Sequence, residues 1–148
     1  PEVLALLLKC TANVQARDEE RRNPLHYAAA AGHPECLKLL LDADAHPNLR
    51  DKYGMTAMHL AAGNNHLECV RLLIAKESQL NTPDAEGQSP LHNAAENGHL
   101  NVIKALLGAG ANRDVKDKTG KSPLDYARAA EQTEAAELLE SHATETTP

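Results

Sequence analysis

The chain reads as an all-α solenoid: a stack of paired antiparallel helices with hairpin-like turns projecting to one side. Three observations carry that reading. Asp18, Asp51, Asp84 and Asp117 recur every 33 residues, and so do His26, His59 and His92, and again His33, His66 and His99. A fixed period of about 20–50 residues marks one supersecondary unit copied along an axis. Between the recurring residues each copy keeps the same order of turn, helix start, alanine-rich helix, stop and leucine-rich helix. The apolar share is 42%, yet aromatics make up only 2% of the 148 residues, with no Phe and no Trp. Such a core is built from Leu, Ala, Val and Ile, which suits thin layers of close helices better than a sandwich or barrel.

Cutting at each recurring Asp gives a partial repeat (1–17), three full repeats (18–50, 51–83, 84–116), a C-terminal capping repeat (117–142) and a tail (143–148) expected to be flexible. A turn opens each copy, as in Asp51-Lys52-Tyr53-Gly54, Asp84-Ala85-Glu86-Gly87 and Asp117-Lys118-Thr119-Gly120. Asp accepts local backbone hydrogen bonds there, and Gly allows positive φ. The first helix starts at Asn23-Pro24, Thr56-Ala57, Ser89-Pro90 and Ser122-Pro123. A capping side chain followed by Pro at the first helical position is a specific start signal.

Gly32, Asn65 and Gly98 end that helix, because Gly and Asn tolerate the left-handed C-cap. The second helix runs through Cys36 to Leu41, Cys69 to Ile74 and Val102 to Leu107, with one charged residue per copy. So wide an apolar stripe must be covered on both sides. Glu35 and Glu68 sit near its start, where the helix dipole favours negative charge. Arg21 stands where the other turns have Gly, and Thr11, Asp44 and Glu77 stand where a later copy has Gly110. A left-handed backbone costs a non-glycine residue about 1–2 kcal/mol, so local alteration of those turns is expected.

The chain starts inside a second helix. Val3, Leu4, Leu6 and Leu7 then lack partners on one side, which implies missing upstream repeats or a covering partner. At the other end, helices near 123–130 and 134–140 carry Arg128, Glu131, Glu134, Glu137 and Glu140, the polarity of a solvent-facing cap.

Composition excludes several functions. The net charge of -6 lacks the basic footprint of a nucleic-acid binder. Cys10, Cys36 and Cys69 are odd in number. Cys36 and Cys69 fall on stacked helices about 8–10 Å apart, beyond the roughly 7 Å a disulfide bridges. Reduced thiols point to a cytoplasmic or nuclear compartment. No apolar run approaches the roughly 18 residues of a membrane span, and the run from Val3 to Leu8 has no basic flank to make it a signal peptide.

Chemistry finds no foothold either. A zinc ion needs each nitrogen within about 2.1 Å, and a histidine column with members about 8–10 Å apart cannot supply that. The aspartates repeat in turns rather than facing a cleft. Ser89 and Ser122 cap helices, and Cys36 and Cys69 are core residues. No catalysis, metal or cofactor is expected.

Specificity should lie where the copies differ, at turn tips and the exposed end of the first helix. The candidates for partner binding are Arg22, Arg50, Lys52, Tyr53, Met55, Asn64, Glu86, Gln88, Glu96, Asn97 and Lys118. Tyr53 and Met55 stand out as apolar side chains on a polar loop, and Tyr and Arg are enriched in interface hot spots. The competing reading has Tyr53 packed over its own turn. A basic row of Arg17, Arg50 and Lys116 would edge the same surface.

Pro24-Leu25-His26-Tyr27-Ala28-Ala29, Thr56-Ala57-Met58-His59-Leu60-Ala61-Ala62 and Ser89-Pro90-Leu91-His92-Asn93-Ala94-Ala95 resemble the turn-and-first-helix motif of the ankyrin repeat. Gly110-Ala111-Asn112 resembles its exit, and the likeness covers residues 1–142. It implies an interaction scaffold whose histidines tie neighbouring turns together. Within the family, the run from Ala45 to His59, with its Thr56-Ala57-Met58-His59, is similar to a chaperone of proteasome regulatory-particle assembly. That likeness implies the C-terminal domain of a proteasome ATPase subunit as partner, with Arg50 making a charge contact. The rival readings are a regulatory ankyrin segment of a larger enzyme or channel, and an engineered binder. The irregular turns at Arg21, Asp44 and Glu77 speak against an idealised design.

Overall fold

The computed structural model describes residues 14–145. The expectations for Val3, Leu4, Leu6, Leu7, Cys10 and Thr11 lie outside them. Four helix pairs follow in order: α1 (Pro24–Ala31) with α2 (Pro34–Asp42), α3 (Ala57–Gly63) with α4 (Leu67–Ala75), α5 (Pro90–Glu96) with α6 (Leu100–Gly108), and α7 (Pro123–Ala129) with α8 (Thr133–Glu145). Among the described residues there is no strand. Helix α8 runs on past residue 140 to Glu145, and no Gly or Pro in that stretch stops it.

Each first helix begins on an extended cap residue, Asn23, Thr56, Ser89 or Ser122. The box usually closed by Glu is closed here by histidine in three repeats. The amides of Asn23, Thr56 and Ser89 donate to Nδ1 of His26, His59 and His92 at 3.1, 3.1 and 3.0 Å. In the last repeat Asp125 does the same for Ser122 at 2.9 Å.

First helices stack on first helices along the axis and second helices on second helices. The alanine pairs 28–29, 61–62 and 94–95 are wholly buried, so small side chains let the layers approach closely. Leu37, Leu40, Val70, Leu73, Val102, Ile103 and Leu106 fill the space between layers. Burying a Leu or Val contributes about 1.5–3 kcal/mol, so each repeat is stable only against its neighbours.

The turns are built around the recurring Asp. Its Oδ1 accepts from the amides two and four residues on, at 2.9 Å, in all four copies. Successive turns are then tied by backbone bonds: Lys52 N–H to Glu20 O (2.9 Å), Ala85 to Tyr53 (2.9 Å) and Lys118 to Glu86 (3.0 Å).

The expectation of altered turns is corrected. Arg21, Asp44 and Glu77 keep the left-handed backbone, at φ 63, 65 and 57°. Backbone bonds close around each: Arg21 N–H to Asp18 O, Asp44 to Leu41 and Glu77 to Ile74. Next to them, Ala45 N–H reaches Leu40 O and Ser78 reaches Leu73 O at 3.0 Å. At about 0.5–1.5 kcal/mol net for each bond, these bonds together offset the strain.

Candidate protein-recognition surface

The first histidine column points forward along the stack. His59 Nδ1 accepts from the Thr56 amide, so Nε2 carries the proton and donates to Gln88 O at 2.9 Å. His26 reaches Met55 O at 3.1 Å and His92 reaches Lys121 O at 2.9 Å. Burial pushes the imidazoles of His26 and His59 below their usual value, which keeps them neutral. The second column points back: His66 Nε2 bonds Ala30 O at 3.1 Å and His99 bonds Gly63 O at 3.0 Å. In the last copy Gln132 takes this place, bonding Glu96 O at 3.3 Å. Among the described residues no three His, Cys, Asp or Glu side chains gather as metal ligands would. Cys36 and Cys69 are buried, and burial pushes the Cys69 thiol up to about 11, away from reactivity.

Several partner-binding candidates serve the stack. Arg22 Nε sits 3.1 Å from Oδ2 of the fully buried Asp51 carboxylate, and its Nη1 lies 3.4 Å from Glu20. Asn64 Nδ2 donates to Ala30 O (3.2 Å), and Asn97 Nδ2 to Gly63 O (3.3 Å) and Asn93 O (3.0 Å). Gln88 Nε2 donates to the Tyr126 hydroxyl at 2.9 Å. Met55 is half-buried.

Arg50, Lys52, Tyr53, Glu86, Glu96 and Lys118 are exposed. The structure brings Arg50, Lys52 and Tyr53 together on the second turn. Tyr53 is 49% exposed, with Lys52 Nζ 5.0 Å from its ring centroid and 3.3 Å from Glu20 Oε1. Arg50 Nε is anchored on Gly54 O at 3.1 Å. Glu96 ends α5, away from the turns, and Lys118 stands two turns further along.

Two exposed apolar side chains escaped the sequence reading, Tyr27 at 42% and Leu39 at 50%. Tyr27 shares its repeat position with Leu60, Asn93 and Tyr126, and that variation at a fixed interval was the available signal. Both tyrosines hydrogen-bond the Asp that opens their own turn, Tyr27 to Asp18 and Tyr126 to Asp117. The bond pushes Tyr126 up to about 12 and holds Asp117 well below the usual carboxylate range. Tyr126 also meets the His92 ring edge-on at 5.4 Å.

Among the described residues no helix is long and apolar enough to cross a membrane. A search of curated proteins finds no match to the chain. A family model described as ankyrin repeats (3 copies) matches residues 1–84 and again 77–147. Laid over four stacked helix pairs whose turns are joined by histidine, those two matches identify the chain as a member of the ankyrin-repeat family.

Proposed function

We propose that this chain is a non-catalytic recognition module that binds another protein through its concave face and turn tips, with Arg50, Lys52 and Tyr53 at the centre. Ankyrin repeats generally mediate protein–protein interaction. The observation that carries the reading is the half-exposed Tyr53 ring held against Lys52 on a polar turn. A large, partly ordered aromatic beside cations matches the composition of interface hot spots.

The finer reading is a gankyrin-like chaperone that binds the C-terminal domain of a proteasome ATPase subunit in the cytoplasm or nucleus. Three runs support it: Pro24 to Ala29, Ala45 to His59 and Asp84 to Pro90, which are similar to successive gankyrin repeats. Gankyrin's retinoblastoma-binding Leu-x-Cys-x-Glu segment would fall at Asn93, Ala95 and Asn97, and none fits, so that activity is left out.

The test is calorimetric titration of this chain with purified C-terminal domains of the proteasome ATPase subunits. One domain should bind. Tyr53→Ala combined with Arg50→Glu should weaken binding at least about tenfold while the thermal melt stays almost unchanged. Failure of every domain to bind removes the chaperone reading, and binding untouched by the double variant removes the proposed surface.

A further inference from the structure

Arg21, Arg50 and Lys52 line a depression of about 300 Å³ at the base of the first two described turns, together with Asp51, Gly54 and Ala85. Arg17 bonds the backbone of two of the lining residues. Its Nε donates to Arg21 O at 2.9 Å and its Nη2 to Arg50 O, so it ties two successive turns. The hydrogen bonds of Arg17 and Arg50 go to backbone carbonyls, which are neutral. Among the described residues no carboxylate lies within ion-pair distance of Arg17, Arg21 or Arg50. Arg22, Lys52, Arg71, Lys76, Arg113 and Arg128 each have one, so Arg17, Arg21 and Arg50 are the described arginines without one; Lys38, Lys104, Lys116, Lys118 and Lys121 also lack one.

The one acid lining the depression is already occupied. The Asp51 carboxylate is fully buried under Arg22 Nε and the Tyr53 and Met55 amides. Glu20 is shared by Arg22 and Lys52. Across these two turns Arg17, Arg21, Arg22, Arg50 and Lys52 stand against Asp18, Glu19, Glu20 and Asp51, an excess of one positive charge in a chain of net charge -6.

Arg21 adds a second, independent observation. It occupies the left-handed position, φ 63°, that three other turns give to Gly54, Gly87 and Gly120 at φ 78, 81 and 82°. A side chain there carries strain that glycine avoids. Backbone strain that persists at one copy of a repeat is a pointer to function. In this copy the left-handed position also puts an arginine among the residues that line the depression.

We propose that this cleft docks an acidic segment of the partner protein, whose carboxylates are received by Arg21, Arg50 and Lys52. Arginine forks match carboxylate geometry. The inference rests on the reading that the turn tips recognise a protein, and it names the chemistry of the segment that enters between them.

The test uses the whole chain and a fluorescein-labelled peptide of alternating Glu and Gly, followed by anisotropy, with the Gln-and-Gly peptide as control. The Glu peptide should bind and the Gln peptide should not, and binding should fall steeply with added salt. Arg21→Gly should weaken it about tenfold, yet raise the thermal midpoint by about 3–6 °C, because the strain is relieved. Arg50→Gln should weaken it by a similar factor, and Lys118→Gln, two turns away, should leave it unchanged.

Unchanged binding by Arg21→Gly overturns the proposal. So does an equal loss from Lys118→Gln, which would make net charge the cause, and so does tighter binding of a single-stranded oligonucleotide than of the Glu peptide. The broader reading has its own readout. If the Tyr53→Ala/Arg50→Glu chain loses its ATPase domain while no acidic peptide binds, the acidic-segment inference falls and the recognition surface stands.

Discussion

Truncating the two histidines of one repeat should have very different costs. His59 is wholly buried and holds three bonds: the Thr56 amide (3.1 Å) and hydroxyl (3.0 Å) at Nδ1, and Gln88 O (2.9 Å) at Nε2. At about 1 kcal/mol net per bond, plus the penalty of a buried Thr56 amide left without a partner and a cavity in the stack, His59→Ala should cost about 4 kcal/mol. His66 holds one side-chain bond, to Ala30 O at 3.1 Å, and is half-exposed, so water can replace its ring. His66→Ala should therefore cost about 1 kcal/mol. The assay is urea unfolding followed by far-ultraviolet circular dichroism at neutral pH, with the slope compared as well as the midpoint. A reduced slope for His59→Ala would mean that the stack splits at that joint instead of unfolding as one unit. If the two variants lose the same stability, the forward histidine tie is not the joint the geometry describes.

Two further outcomes follow from the same network. Stability should fall in two steps as pH drops. His26 and His59 have folded pKa values below the 6.5 of an unfolded histidine, through burial. Their contribution is complete above 6.5 and is lost as pH falls from there through the folded value, because the unfolded chain takes up protons first. Asp18, Asp117 and Asp125 are held below 3.8 by the Tyr27 hydroxyl, the Tyr126 hydroxyl and the Ser122 amide, so their contribution is lost only below about 3.8. Urea midpoints that stay flat from pH 8 to about pH 5 would contradict the first step. Among glycines, Gly54→Ala should cost the most: φ is 78°, and an added Cβ would lie 2.6 Å from the Ala85 backbone nitrogen and 3.0 Å from the Asp84 carbonyl carbon, whereas at Gly32 (φ 74°) it meets the His66 ring, a side chain, at 2.4–2.8 Å. Gly98→Ala meets only the flexible end of Gln132, and Gly110→Ala, with φ 98°, meets nothing within 4 Å. Urea midpoints should rank Gly54→Ala lowest, and Gly110→Ala should show the backbone strain alone, about 1–2 kcal/mol.

The helix pairs were legible in the sequence because their punctuation acts locally. Asp, Ser or Thr, Pro and Gly each fix a backbone group within four residues of themselves. The backbone at Arg21, Asp44 and Glu77 was not legible, because the bonds that hold it depend on the whole turn rather than on the residue. The recognition surface was read from the premise that residues which differ between copies are free. Arg22 and Gln88 break that premise, since each bonds a neighbouring repeat from a position that varies. Asn64 and Asn97 break it in another way. They lie one full period apart, and both bond a carbonyl of the preceding repeat. Their interval placed them with the scaffold all along.

The acceptors on which the repeats are joined are mostly main-chain carbonyls: Met55, Gln88 and Lys121 for one histidine column, Ala30 and Gly63 for the other, and Glu20, Tyr53 and Glu86 for the turn amides. A carbonyl is the same whatever side chain it carries. Tyr53 therefore supports the stack through its backbone oxygen, bonded to the Ala85 amide, while its ring stands half in solvent beside Lys52. Replacing the ring leaves the joint untouched, so on the proposed reading it would weaken recognition alone. This separation lets one scaffold carry unlike tips from repeat to repeat, and it is also why the cost of Arg21 stands out: there the proposed acid-binding side chain and the left-handed backbone fall on the same residue.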